Sequence, residues 1–180
     1  MTAQPHPWSA VVRLDDIGET GRHVELEASE ATRAALARPA GVDAVERAVG
    51  SFDLARRGRD GLRVTGAVRA AVRQTCVVSL EPLVNEIDEP VDVEFVPAPR
   101  AGGGDIETEV VLAHAEDERE LLVDGSVDLG ALATEFLILG VDPYPRKTGA
   151  AFQAPRASAD PTAHPFAALE ALKQKGTVKK

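Results

Sequence analysis

Cys76 poses the first chemical question. It is the single cysteine of the chain and stands in QTCVVSLEPL, residues 74–83, three places before Ser79. A cysteine at the second place would suggest a metal knuckle, but a serine does not. Zinc needs a set of Cys, His or acidic ligands at workable spacing. The candidates Cys76, His6, His23, His114 and His164 are scattered along the chain, so no metal site is expected. A nucleophilic thiol needs a nearby base and a lowered pKa, and the spacing supplies no base. With Val77, Val78 and Leu80 as neighbours, Cys76 reads as a buried small residue.

The other catalytic patterns are missing from the sequence. There is no Gly-x-Ser-x-Gly, no His-Glu-x-x-His and no dinucleotide fingerprint. Gly102, Gly103 and Gly104 lack the Lys-Ser or Lys-Thr of a phosphate loop and read as part of a loop over 98–107. Carboxylates crowd residues 81–128, but no spacing singles out an acid–base pair. No catalytic residue and no cofactor are expected.

Charge supplies two candidate binding surfaces. Arg56, Arg57, Arg59, Arg63, Arg69 and Arg73 gather on one predicted hairpin and read as RNA-phosphate contacts. Arg146, Lys147, Arg156, Lys173, Lys175, Lys179 and Lys180 add a basic tail. Residues 81–128 carry 15 acidic side chains against 2 basic ones, within a net charge of −9. That stretch reads either as a solvated acidic loop or as a surface for a basic partner, with Glu116, Asp117, Glu118 and Glu120 as candidates. The overall charge argues against strong non-specific binding to nucleic acid, and aromatics at 4% are too few for a base-stacking platform.

The elements that must position these residues follow from periodicity. SAVVRL (9–14) is a short apolar strand. RHVELEA (22–28) alternates Val24, Leu26 and Ala28 against Glu25 and Glu27. Ser29 caps a helix over 30–38, which Pro39 and Gly41 end. Residues 48–56 and 62–73 form a hairpin with its turn signal at Asp60-Gly61. In the second arm Leu62, Val64, Gly66, Val68, Ala70 and Val72 share one face, and Arg63, Arg69 and Arg73 the other.

PVDVEFV (90–96) points Val91, Val93 and Phe95 inward. If it pairs with 62–73, Asp92 and Glu94 oppose those arginines. Asp128 caps a helix whose buried stripe is Leu129, Leu132, Ala133, Phe136 and Leu137. Gly140 is expected in the left-handed capping conformation, with Pro143 and Pro145 beyond it. Residues 164–176 read as a short helix opened by Pro165.

The expected architecture is α+β: a mostly antiparallel sheet with two main helices and a short C-terminal helix. One domain is expected over 1–147, then a linker-like segment 148–163, then a docking helix and frayed basic tail over 164–180. The single cysteine, the lack of a signal peptide and the lack of any long apolar run point to a cytoplasmic protein without a membrane partner.

Two blocks resemble one family. Gln74, Cys76, Leu80, Glu81 and Pro82, followed by a strand ending Glu94-Phe95, resemble the first motif of the YceD family, the large ribosomal RNA subunit accumulation proteins. Asp128-Leu129-Gly130 opening a helix with Glu135, then Asp142-Pro143-Tyr144-Pro145-Arg146-Lys147, resembles the second. Pro165-Phe166-Ala167-Ala168-Leu169 is similar to the family's end. The likeness runs over residues 10–173, and the DPYPRK form resembles the alphaproteobacterial branch. Many members carry Cys-x-x-Cys at the first block and further cysteines later. Here Ser79 replaces the second cysteine and none follows, so a metal role does not carry over.

The resemblance implies a cytosolic factor in synthesis, processing or stability of large-subunit ribosomal RNA, with no catalytic activity. It would contact that RNA or a basic ribosomal protein. The alternative is a divalent-metal-dependent RNA hydrolase built on the acidic segment.

Overall fold

The computed structural model describes residues 6–58, 60–97 and 119–152. The chain divides into a larger unit, Met1–Thr148, and a smaller one, Gly149–Lys180. The elements below all belong to the larger unit. The loop read over 98–107 and the helix read over 164–176 lie outside the described residues, as does nearly all of the segment 148–163.

The strands are β1 (Val11–Arg13), β2 (Arg22–Glu27), β3 (Ala44–Arg57), β4 (Gly61–Thr75), β5 (Pro82–Pro97), β6 (Arg119–Leu122) and β7 (Ser126–Asp128). The helices are α1 (Glu30–Ala40) and α2 (Leu129–Leu139). A five-stranded sheet runs β2-β3-β4-β5-β6, and β1 pairs separately with β7. Among the described residues, every strand pairing is antiparallel except β5 with β6. The fold is α+β with a mostly antiparallel sheet, as the periodicity requires.

One sheet face is the core. Alternation in β4 buries Leu62, Val64, Val68, Ala70 and Val72, and β3 adds Phe52 and Leu54. Helix α2 crosses β3, β4 and β5 and covers them with Leu129, Leu132, Ala133 and Leu137. Helix α1 packs Leu36 on β3. Burying a side chain of this size stabilises by about 2 kcal/mol, and few aromatics are needed because the aliphatic positions are so regular.

Several local expectations are corrected. Helix α1 runs through Pro39 to Ala40, because burial of Ala40 holds the last turn and Gly41, at φ 66°, then closes it. Strand β3 begins at Ala44, before the alternation of 48–56. A bulge between Val45 and Arg47 breaks the two-residue period there. The hairpin turn carries its left-handed residue at Gly58, while Gly61 already pairs with Arg57.

Gly140 is right-handed, at φ −78°. Space rather than handedness calls for a glycine there. A Cβ would stand 2.5 Å from Ile87 Cγ2 and 2.7 Å from Glu89 Cγ.

The acidic stretch is corrected too. The strand read over 90–96 starts earlier, and residues 82–97 form one 16-residue strand. Its inward register places Asn85 and Glu89 among Ile87, Val91 and Phe95, which hides the alternation. Asn85 hydrogen-bonds Gln74, and Glu89 lies beside Gly140.

Candidate functional site

The register of β4 against β5 decides the fate of the arginines. It sets Arg63 beside Glu94 and next to Asp92, and Arg69 directly opposite Asp88. Arg63 donates Nε and Nη2 to the two oxygens of Asp92 at 2.8 and 2.7 Å. Arg69 Nε reaches Asp88 at 3.2 Å, and Arg73 lies 3.7 Å from Glu46, on the bulge of β3. Bonding to Arg63, against a smaller opposing effect of burial, holds the Asp92 carboxyl below its usual range. Exposed pairs of this kind contribute little to stability, because water and salt screen them. Their larger consequence is to neutralise the face.

Arg56 leaves the exposed face altogether. It shares the parity of Phe52 and Leu54, so its guanidinium turns inward and donates to the carbonyls of Ile17 and Leu14 at 2.7 and 2.8 Å. Arg57 is exposed at the end of β3. Arg59 lies outside the described residues, as do Glu116, Asp117 and Glu118. Glu120 is exposed on β6.

The two motif blocks meet in space. Gln74 and Cys76 leave β4, a turn follows, and β5 starts at Pro82. Against that turn lies the segment after α2. Gln74, itself buried, donates Nε2 to the Asp142 carbonyl at 2.8 Å and accepts from Asn85 at 2.7 Å. Val77 N–H donates to the Pro145 carbonyl at 2.9 Å, and Lys147 Nζ pairs with Glu81 at 3.0 Å. Leu80 takes a left-handed conformation, φ 59°, while Cys76 N–H donates to the Glu81 carbonyl at 2.8 Å. Pro145 is buried, whereas Pro143 and Arg146 are exposed.

Cys76 is the hub of this clasp. Its sulfur is fully enclosed and accepts N–H bonds from Val78, Ser79 and Lys147 at 3.4, 3.4 and 3.3 Å. The Lys147 N–H is the largest influence on its acidity. The Ser79 side chain and the N–H groups of Ser79 and Val78 add to it, and together they outweigh burial and lower the thiol to about 6. Burial was legible in the sequence; a triple acceptor fed from 71 residues away was not.

A depressed acid stabilises the fold above its unfolded pKa and loses that contribution as pH falls through the folded value. The thermal stability gap between the parent and Cys76→Ala should therefore widen from pH 6 to pH 9, from the lowered to the ordinary thiol value. Melting curves across that range check this; a constant gap would contradict it.

Asp128 builds the second motif. Its carboxylate accepts from Ser9 Oγ (2.6 Å), Ala10 N–H (2.7 Å), Gly130 N–H (3.0 Å) and Ala131 N–H (3.2 Å). It caps α2 and joins the N-terminal segment to it. Burial alone would raise this carboxyl, and the four bonds outweigh it, so the group stays below its usual range.

One feature had no signal in the sequence. Glu120 on β6 and Glu135 on α2 both line a single groove. Burial first, then the charge of Glu120, raises the Glu135 carboxyl, while His6 acts in the opposite direction. The ion pairs among the described residues use neither carboxylate. Also among the described residues, no group of three or more His, Cys, Asp or Glu side chains is placed to hold a metal ion, and no helix is long and apolar enough to cross a membrane.

The fold and its clasp define an α+β protein held together at two motif blocks, with charge-paired strands and an acidic groove. The family model described as Large ribosomal RNA subunit accumulation protein YceD matches residues 64–173, and the chain belongs to this family. The match begins inside β4, so β1, β2, α1 and β3 lie before it. No curated protein and no solved structure matches the chain. The family description ties the protein to accumulation of large-subunit ribosomal RNA and names an accumulation factor rather than an enzyme.

Proposed function

We propose that the protein promotes accumulation of large-subunit ribosomal RNA without catalysing a reaction, by holding a basic ribosomal protein. The observation that carries this reading is the contrast between its charges. Arg63, Arg69 and Arg73 each have an acid within 4 Å on a neighbouring strand, while Glu120 and Glu135 line one groove, close enough for the charge of Glu120 to act on Glu135. A phosphate chain would have to displace carboxylates to reach those arginines. A cationic protein meets carboxylates already repelling one another. Complementary fields of this kind speed and select association.

The test is crosslinking of the tagged protein in its own cells, with bound RNA and protein identified in parallel. A ribosomal protein should be recovered, and Arg63→Gln, Arg69→Gln and Arg73→Gln together should leave that recovery intact. Neutralising Glu116, Asp117, Glu118 and Glu120 should reduce it by about tenfold, or roughly 1.4 kcal/mol. Recovery of ribosomal RNA alone, lost in the arginine variant, would instead assign the hairpin to RNA and sink the escort reading.

A further inference from the structure

The groove holding Glu120 and Glu135 is apolar as well as acidic. It has a volume of about 270 Å³ and lies among β1, β6, β7 and α2. Val11, Leu121 and Val123 line it and are 62%, 52% and 62% exposed. Phe95 and Leu132 lie beneath, each nearly buried. Three large aliphatic side chains, each more than half exposed, thus border one depression. Clustered apolar exposure of this kind marks an interaction surface more often than scattered apolar residues do.

Asp128 also lines the groove, but its carboxylate is occupied by the cap and by Ser9 and Ala10. Among the described residues, neither Glu120 nor Glu135 takes part in an ion pair. They stand on separate elements, Glu120 on β6 and Glu135 on α2, and both line the same groove.

We propose that this groove docks a basic–apolar segment of the partner protein, an apolar side chain seating among Val11, Leu121 and Val123 while a lysine or arginine bridges Glu120 and Glu135. The proposal rests on the basic-partner reading and locates it. An apolar segment without a cation would leave two like charges in one groove. A cation without an apolar neighbour would leave the aliphatic border wet. The two features together select a segment in which both occur within a few residues. A polyanion such as RNA would meet two carboxylates and, among the described lining residues, no lysine or arginine.

The experiment titrates isotope-labelled full-length protein with synthetic peptides and follows the backbone amides by NMR. One peptide combines lysine with leucine, one lysine with serine, and one glutamate with leucine. The lysine–leucine peptide should bind tightest and shift the amides of Val11, Leu121, Val123 and Ala131. Glu120→Gln with Glu135→Gln should weaken it by about tenfold, and Leu121→Ser should do the same. Arg63→Gln should leave it unchanged, and melting curves verify that each variant is folded.

Shifts confined to the outer face of β5, or binding by the double variant within about twofold of the parent, would overturn the groove assignment while the basic-partner reading stood. If none of the basic peptides bound and a large-subunit RNA fragment did, both would fall.

Discussion

Gly66→Ala is expected to cost the protein about 3 kcal/mol or more of stability, a large share of the 5–15 kcal/mol that holds a domain together. Gly66 lies mid-strand in β4, opposite Phe52 of β3 and Val91 of β5. Its φ is 154°, where L side chains are strained, and an added Cβ would collide with the Ser51 carbonyl oxygen and come within 3.0 Å of Phe52 Cα. Strain at a disfavoured backbone position costs about 1–3 kcal/mol. Overpacking adds about 1–3 kcal/mol, and here the obstacle is backbone that cannot step aside. Urea unfolding of Gly66→Ala beside Ala67→Gly, which alters the neighbouring outward-facing position, measures the effect. A Gly66→Ala loss below about 1 kcal/mol would show that β3 and β4 can part locally, contrary to the close approach. In cells the variant should lower large-subunit RNA accumulation through loss of folded protein.

Asp128→Ala is expected to lose about 3 kcal/mol. Removing an N-cap costs about 0.5–2 kcal/mol. A further 1–3 kcal/mol follows from leaving the part-buried Ala10 N–H, 2.7 Å from the carboxylate, without its acceptor. Asp128→Asn keeps an acceptor oxygen and should lose less. The sign of the pH dependence separates charge from shape. The carboxyl is held below its ordinary value of 3.8. Its charge therefore stabilises fully above that value, and the contribution is lost as pH falls through the lower folded pKa. Acid unfolding should show the gap between the parent and Asp128→Asn closing below about pH 4. A gap that persisted there would mean that geometry, not charge, accounts for the cap.

Much of this molecule could be read from local pattern. The two-residue period of 62–73 marks β4 and its inward face, because successive strand side chains alternate by geometry. Ser29 and Asp128 mark helix starts, since a short oxygen-bearing side chain answers the free N–H groups there. Cys76 is buried, as its residue type suggests, although Val77 and Leu80 beside it are exposed. Even the pairing of Arg63 with Asp92 is implicit once two alternating strands of opposite charge are laid side by side.

Tertiary structure decided the rest, for one recurring reason: the partners are far apart in sequence. Gln74 meets Asp142, and the Cys76 sulfur meets the Lys147 N–H. No local period encodes such contacts. They turn an apparently inert cysteine into an acidic hydrogen-bond hub and make two motifs one clasp. The first half of strand β5 hid within acidic sequence because Asn85 and Glu89 occupy inward positions whose use depends on Gln74 and Gly140. Gly140 itself follows from the approach of α2 to Ile87 rather than from a left-handed cap. Composition showed that the chain is acidic, but the folding of β6 against α2 decides that Glu120 and Glu135 share a groove. Charge content is a property of the chain, whereas a binding surface depends on which side chains packing leaves facing one another.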